Sequence, residues 1–221
     1  MEHYVITIAR GFGSGGKEIG SRLAKHLGIP CYESQILKMA SDLSGINESL
    51  FNEVDEKLHG HSNSILGYLK KVPFTYIAQP NKKEFTSDVN LYNIQRKIIE
   101  HLARSQSCVI IGKCADYVLR ECTNVISIYI EAPRQACVES IVNKLGVTEA
   151  EAHKMIEKTD KYRADYYRYY TGGGYWTNPV NYDMTLNSAR VGRERCVDVI
   201  EDYMKVKWGN DVLAKCTKSN G

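Results

Sequence analysis

Four glycines, a serine and a lysine stand together near the amino terminus, in Arg10-Gly11-Phe12-Gly13-Ser14-Gly15-Gly16-Lys17. The useful groups of such a segment are main-chain N–H donors, and they act together only if the chain folds back on itself. Glycine permits that fold, so successive amides can point into one concavity and hold an anion. A helix that starts where the loop ends adds its unpaired amides and the positive end of its dipole. Lys17 then places a mobile ammonium over the β- and γ-phosphates of a bound nucleotide. Gly11-x-x-x-x-Gly16-Lys17 has the spacing of a P-loop, with one departure. Glu18 stands where Ser or Thr normally supplies a hydroxyl to magnesium. The candidate nucleotide-binding residues are therefore Gly11, Gly13, Ser14, Gly15, Gly16, Lys17 and Glu18, with Glu18 also the candidate metal ligand. Phosphoryl transfer is the chemistry these residues suit. A glycine-rich turn that binds nothing is the plain alternative.

The flanking residues are those that would hold such a loop. Tyr4-Val5-Ile6-Thr7-Ile8-Ala9 is short, apolar and β-branched, which predicts a buried strand. Ile19, Leu23, Ala24 and Leu27 recur at helical spacing until Gly28 and Pro30 end the run. Further on, Ile29–Tyr32 reads as a second short strand and Ile36–Leu43 as a helix. Asn47–Leu58 reads as another helix with Asn47 as its cap, and His59–Val89 as a helical turn and mobile loops inserted into the fold. Leu91–Leu102 is helical in spacing, while Cys108–Gly112 and Asn124–Ile130 are apolar throughout, as in parallel strands buried on both faces. Helices follow at Arg134–Leu145 and from Thr148 to about Tyr170, where three glycines stop the chain. A last strand at Tyr182–Leu186 and a closing helix at Arg190–Trp208 complete the pattern, and Lys215–Gly221 reads as a frayed tail. Strands alternating with helices predict a doubly wound parallel sheet, with ligands beyond the carboxyl ends of its strands.

Composition narrows the class of partner. A net charge of +3 over 221 residues is too slight for the concentrated basic face that nucleic acid requires. No apolar stretch is long enough to span a bilayer and no signal peptide opens the chain, so a cytoplasmic protein without membrane contact is expected. The seven cysteines include no C-x-x-C pair and are odd in number, which favours reduced thiols over a disulfide framework or structural zinc. His59 and His61 lie in a polar stretch and read as solvated.

With the elements placed, the chain resembles the cytidylate kinase-like family, a bacterial branch of the P-loop nucleoside monophosphate kinases, over nearly its full length. Three blocks carry the resemblance: Ile6–Gly20 with its Ser-Gly-Gly core, Ile110-Ile111-Gly112-Lys113-Cys114-Ala115-Asp116, and Glu157–Arg163 leading to Tyr166-Tyr167 and Tyr182–Ser188. Where cytidylate kinases place Arg after the glycine of the second block to grip the acceptor phosphate, this chain has Lys113, which keeps the charge but not the bidentate fork. Asp160 and Arg163 match an Asp–Arg pair of the family's lid, and on a helix residues three apart share a face. A solvated salt bridge would show the same spacing. Glu33-Ser34 lies where cytidylate kinases carry Asp-Ser beside the acceptor, but Gln35-Ile36-Leu37-Lys38 lacks the Gly and Tyr-Arg that follow there.

The resemblance implies a three-layer α/β/α P-loop fold with a five-stranded parallel sheet. It implies one domain over residues 1–221, with an acceptor-side insertion over about 45–95 and a lid over about 148–178. It implies an ATP-dependent phosphotransferase using Mg2+, with Lys17, Arg163 and Asp160 catalytic and with Arg10, Glu33, Lys113, Asp160 and Arg163 on the acceptor. The expected partner is a small acceptor such as CMP or dCMP. A small-molecule kinase with a non-nucleotide acceptor and a non-catalytic nucleotide-binding regulator are the alternatives. Tyr166, Tyr167, Tyr169, Tyr170, Tyr175 and Trp176 suit either stacking on a base or packing on the sheet. Arg190 is a candidate contact for adenine or phosphate, with Arg193 and Arg195 read as solvated.

Overall fold

The computed structural model describes residues 3–48 and 88–212. The helix expected over 47–58, most of the expected loop insertion and the tail lie outside the described residues. In chain order the elements are β1 (Val5–Arg10), α1 (Gly16–Leu27), β2 (Cys31–Tyr32), α2 (Gln35–Ser44), α3 (Asp88–Ser105), β3 (Cys108–Ile111) and α4 (Ala115–Val118). Then follow β4 (Val125–Glu131), α5 (Arg134–Leu145), α6 (Glu149–Tyr170), a 3-10 turn at Pro179–Asn181, β5 (Met184–Asn187), α7 (Ser188–Val191) and α8 (Arg193–Trp208). The five strands form one parallel sheet in the order β2-β3-β1-β4-β5.

The alternation of side chains along each strand divides the core into two layers. Ile6 and Ile8, with Val109, Ile111, Ile126 and Ile128, face α1 and α8. Val5, Cys108, Ile110, Val125 and Tyr129 face α2, α3 and α6. Both faces are covered, so the central strands are largely apolar, as a parallel sheet requires. Thr7 and Ser127 form a buried polar pair, the Thr7 hydroxyl donating to Ser127 Oγ at 2.9 Å inside the sheet. A third cluster joins α5 to α6 through Val138, Ile141, Ala152 and Ile156, and Phe12 packs against it. Thr148 caps α6 in a reciprocal box with Glu151, which fixes where this long helix begins.

Two differences from the sequence reading have local causes. The closing helix is split, because Gly192 adopts φ 88° between α7 and α8. The last strand begins two residues late, because Asp183 is pinned to Ser127 by main chain and carboxylate at 2.8 Å each. The one-turn helix α4 is too short to leave a periodic signal.

Ile8 has no exposed surface and its Cδ1 lies against the backbone of Gly20 on α1, so it sets the spacing between β1 and α1. Ile8→Ala should lower unfolding free energy by about 2–5 kcal/mol. Urea denaturation checks this.

Candidate active site

The loop between β1 and α1 closes on itself. Gly11 N–H donates to Ile130 of β4, and both the N–H and the hydroxyl of Ser14 return to Gly11 C=O, at 3.3 and 2.8 Å. Ser188 reaches across to Ser14 C=O at 2.5 Å. Gly15, the cap of α1, sits at φ 82°, where a side chain would be strained and would also strike the Arg193 guanidinium. The amides of Gly16, Lys17 and Glu18 open α1, where no carbonyl of the helix lies behind them and the cap residue has no side chain to offer. An anion is the natural partner of such a helix start.

Beside this loop the sheet order brings together residues distant in sequence. Glu33, just past β2, binds Lys17 Nζ at 2.5 Å with one carboxylate oxygen and Arg10 at 2.9 Å with the other. Burial works against the Glu33 carboxylate, but Lys17 and Arg10 outweigh it and hold its pKa below the ordinary value. Arg163 on α6 donates to Arg10 C=O at 2.9 Å and pairs with Asp160 at 3.2 Å. Asp160 in turn accepts from Phe12 N–H at 2.8 Å, so α6 is fastened to the loop at two points. Burial, with Arg10 alongside, pushes the Arg163 guanidinium down to about 10. Burial also lowers Arg10, with Glu33 opposing. Burial raises Asp160, with Phe12 N–H and Arg163 opposing. Two arginines are thus held in a poorly hydrated place where each disfavours the charge of the other.

They border a cavity of about 320 Å³, which Glu33, Lys113, Asp116, Tyr162, Tyr166 and Tyr167 also line. The turn into it is strained. Gly112, Lys113 and Cys114 have φ of 75°, 60° and 52°, and the latter two are not glycine. Each costs about 1–2 kcal/mol, a strain that functional sites often store. Asp116 follows on α4. Burial raises its carboxyl to about 6, with a hydrogen bond from Tyr167 opposing. Among the described residues its Oδ2 has no hydrogen-bond partner.

Of the residues singled out by sequence, Arg10, Glu33, Lys113 and Arg163 share the cavity, and Lys17 joins them through Glu33. Asp160 does not line it; its carboxylate serves Phe12 N–H and Arg163. Glu18 turns to Arg193 at 2.7 Å and to Arg22 at 2.8 Å. Ser14 spends its hydroxyl inside the loop. Among the described residues, no group of three His, Cys, Asp or Glu side chains is placed to hold a metal ion. Glu18 would have to leave two arginines to become a magnesium ligand. Arg193, read from sequence as solvated, instead lies against Gly15 and bonds Glu18 and Ser140, at 2.7 and 2.6 Å. Its acidic partner stands 175 residues away, so no sequence signal marks it. The tyrosines divide: Tyr166, Tyr167 and Trp176 line the cavity, while Tyr170 stacks on Tyr92 in the core with centroids 3.8 Å apart.

Because the folded state raises Asp116 above its ordinary 3.8, folding favours the protonated acid. The cost of ionising it is fully present above about pH 6 and fades as pH falls toward 4. Asp116→Asn should raise stability by about 1–3 kcal/mol at pH 8 and by much less at pH 4.5. Denaturation midpoints at the two pH values check this.

The described residues contain no helix long and apolar enough to cross a membrane. No curated protein matches the chain. Among solved structures, it is similar to an uncharacterized protein from Eubacterium ventriosum, with 24% identity and a TM-score of 0.64 over 92% of this chain and 99% of that one. A shikimate kinase from Bacteroides thetaiotaomicron matches at 13% identity and TM-score 0.47, over 91% of this chain and 98% of that one. A gluconokinase from Sinorhizobium meliloti matches at 12% and 0.43, over 93% and 97%. The family model for the cytidylate kinase-like family matches residues 5–190. The glycine loop that opens α1, the parallel sheet behind it and that match together place the chain in the cytidylate kinase-like family, with the three-layer α/β/α fold of P-loop kinases.

Proposed function

We propose that the protein is a cytoplasmic, ATP-dependent phosphotransferase whose acceptor is a small anionic molecule, with a nucleoside monophosphate such as CMP or dCMP as the leading case. One observation carries this reading: two half-buried arginines and Lys113 border a single cavity that Glu33 links to the P-loop lysine. Cations packed this way repel one another, and an anionic acceptor relieves that repulsion. ATP supplies the phosphoryl group. The amides of Gly13 to Lys17 hold its β-phosphate, and Lys17 leaves Glu33 to neutralise the transferred group. Arg10, Lys113 and Arg163 hold the acceptor. The segment over about 148–178 serves as a lid whose helix, through Asp160 and Arg163, excludes water from the transfer.

A second reading has its own support. A carboxylate 2.5 Å from the transfer lysine suits a hydroxyl acceptor, whose proton would pass to Glu33 as its oxygen bonds to phosphorus and the bond to the leaving ADP breaks. An acceptor panel with ATP and magnesium, read by ADP release, separates the two: CMP, dCMP and UMP against shikimate and gluconate. Nucleotide binding with no acceptor-stimulated ADP would favour the regulator instead.

Lys17→Ala should lower kcat by at least about 10²-fold with the fold intact by circular dichroism. Arg10→Gln should instead raise the acceptor KM about tenfold or more. Wild-type turnover in the Lys17 variant would refute the assignment.

A further inference from the structure

Glu18 is the third residue of α1, and the helix start sets what a carboxylate there can do. Gly15 is the cap, so Gly16, Lys17 and Glu18 are the first three helical residues. A Glu at the third position can turn back and accept from the cap N–H, the return bond of a capping box. Such a bond forms on α6, where Glu151 accepts from Thr148 N–H at 2.9 Å. On α1 the same turn would put a carboxylate on Gly15 N–H, among the amides that open the helix. Those amides favour any anion near them, an internal one included.

Glu18 takes another course. One carboxylate oxygen accepts from Arg193 at 2.7 Å and the other pairs with Arg22 at 2.8 Å. Burial works against this carboxylate, but Arg193, and after it Arg22, outweigh burial and hold its pKa below the ordinary value. The two arginines are not equivalent. Arg22 lies on the same helix and is shared with Glu194 at 2.9 Å, an exposed arrangement that contributes little. Arg193 opens α8, lies against Gly15 and donates to Ser140 Oγ of α5 at 2.6 Å, so it is fixed from three elements.

We infer that Arg193 is a positioning residue for the donor nucleotide and acts through Glu18, latching that carboxylate away from the loop amides that the β-phosphate needs. The inference rests on the phosphotransferase reading and deepens it by naming what keeps the loop open to phosphate. Without the latch, a half-buried carboxylate stands beside the phosphate and repels it, or takes its donors.

The test is calorimetric titration of the full chain with ADP in EDTA, so that an ion bound to Glu18 plays no part. Arg193→Met keeps most of the side-chain length and removes the charge. It should raise the ADP Kd at least about tenfold, with the circular dichroism of the wild type. Glu18→Ala alone should tighten ADP, by about threefold or less. Joined to Arg193→Met, it should bring Kd back to within about threefold of wild type, a rescue that lost helix packing would not show. Arg193→Ala, paired with Glu18→Ala in the same way, takes its place should the Met variant not fold. An unchanged Kd in the Arg193 variant, or a double variant as weak as the Arg193 variant, overturns the latch alone. Wild-type protein that binds ADP neither with nor without magnesium overturns the phosphotransferase reading and the latch with it.

Discussion

Glu33 holds Lys17 on one oxygen and Arg10 on the other, at 2.5 and 2.9 Å, and this double ion pair joins the P-loop to the cavity that Lys113 and Arg163 line. Its strength comes from burial. Salt bridges in open water contribute little, but Arg10 and Arg163 are poorly hydrated, and nearby carboxylates offset the cost of burying their charge. Glu33 sits on Lys17 and Arg10, and Asp160 sits on Phe12 N–H. Under the proposed function a phosphate would compete with these carboxylates for the same donors, and its higher charge would favour it.

The rest of the fold keeps this arrangement in register. The strand order β2-β3-β1 places Gly112 and then Glu33 on one side of Arg10, and the Arg10 guanidinium lies over the Gly112 backbone. Phe12 anchors the loop in the α5–α6 cluster, with the Arg163 guanidinium 5.7 Å from its ring. On the far side, Arg193 ties α8 to Glu18 and to Ser140 of α5. The loop is therefore held from three helices, and little of its geometry is left to the ligand to impose.

The loop, the strands and most helix boundaries were legible in the sequence because each rests on local signals. β-branched runs mark β1, β3 and β4; Gly28 and Gly45 take the left-handed cap positions; Thr148 and Glu151 announce α6. The candidate site was half legible. Lys17, Arg10, Glu33 and Lys113 stand out by type and by their place near strand ends, and Arg163 stands out only through the family resemblance of its block. Their mutual pairing needs the strand order, which no local pattern encodes. Asp116 is an unremarkable acid in the sequence, because burial is what distinguishes it. Arg193 is one of three arginines at a helix start, and only the packing of α8 on α1 selects it. The tyrosines of α6 defeat periodicity for a simpler reason: consecutive rings leave the helical phase undefined, so cavity-lining Tyr166 and Tyr167 cannot be told from core Tyr170.

The most direct measurement is calorimetric titration of the full chain with ATP, paired with the same titration of Lys17→Ala. The expected result is one ATP site per chain in the wild type, strongly weakened in the variant. Absence of ATP binding to well-folded wild-type protein, or equal affinity in the two proteins, would contradict the account.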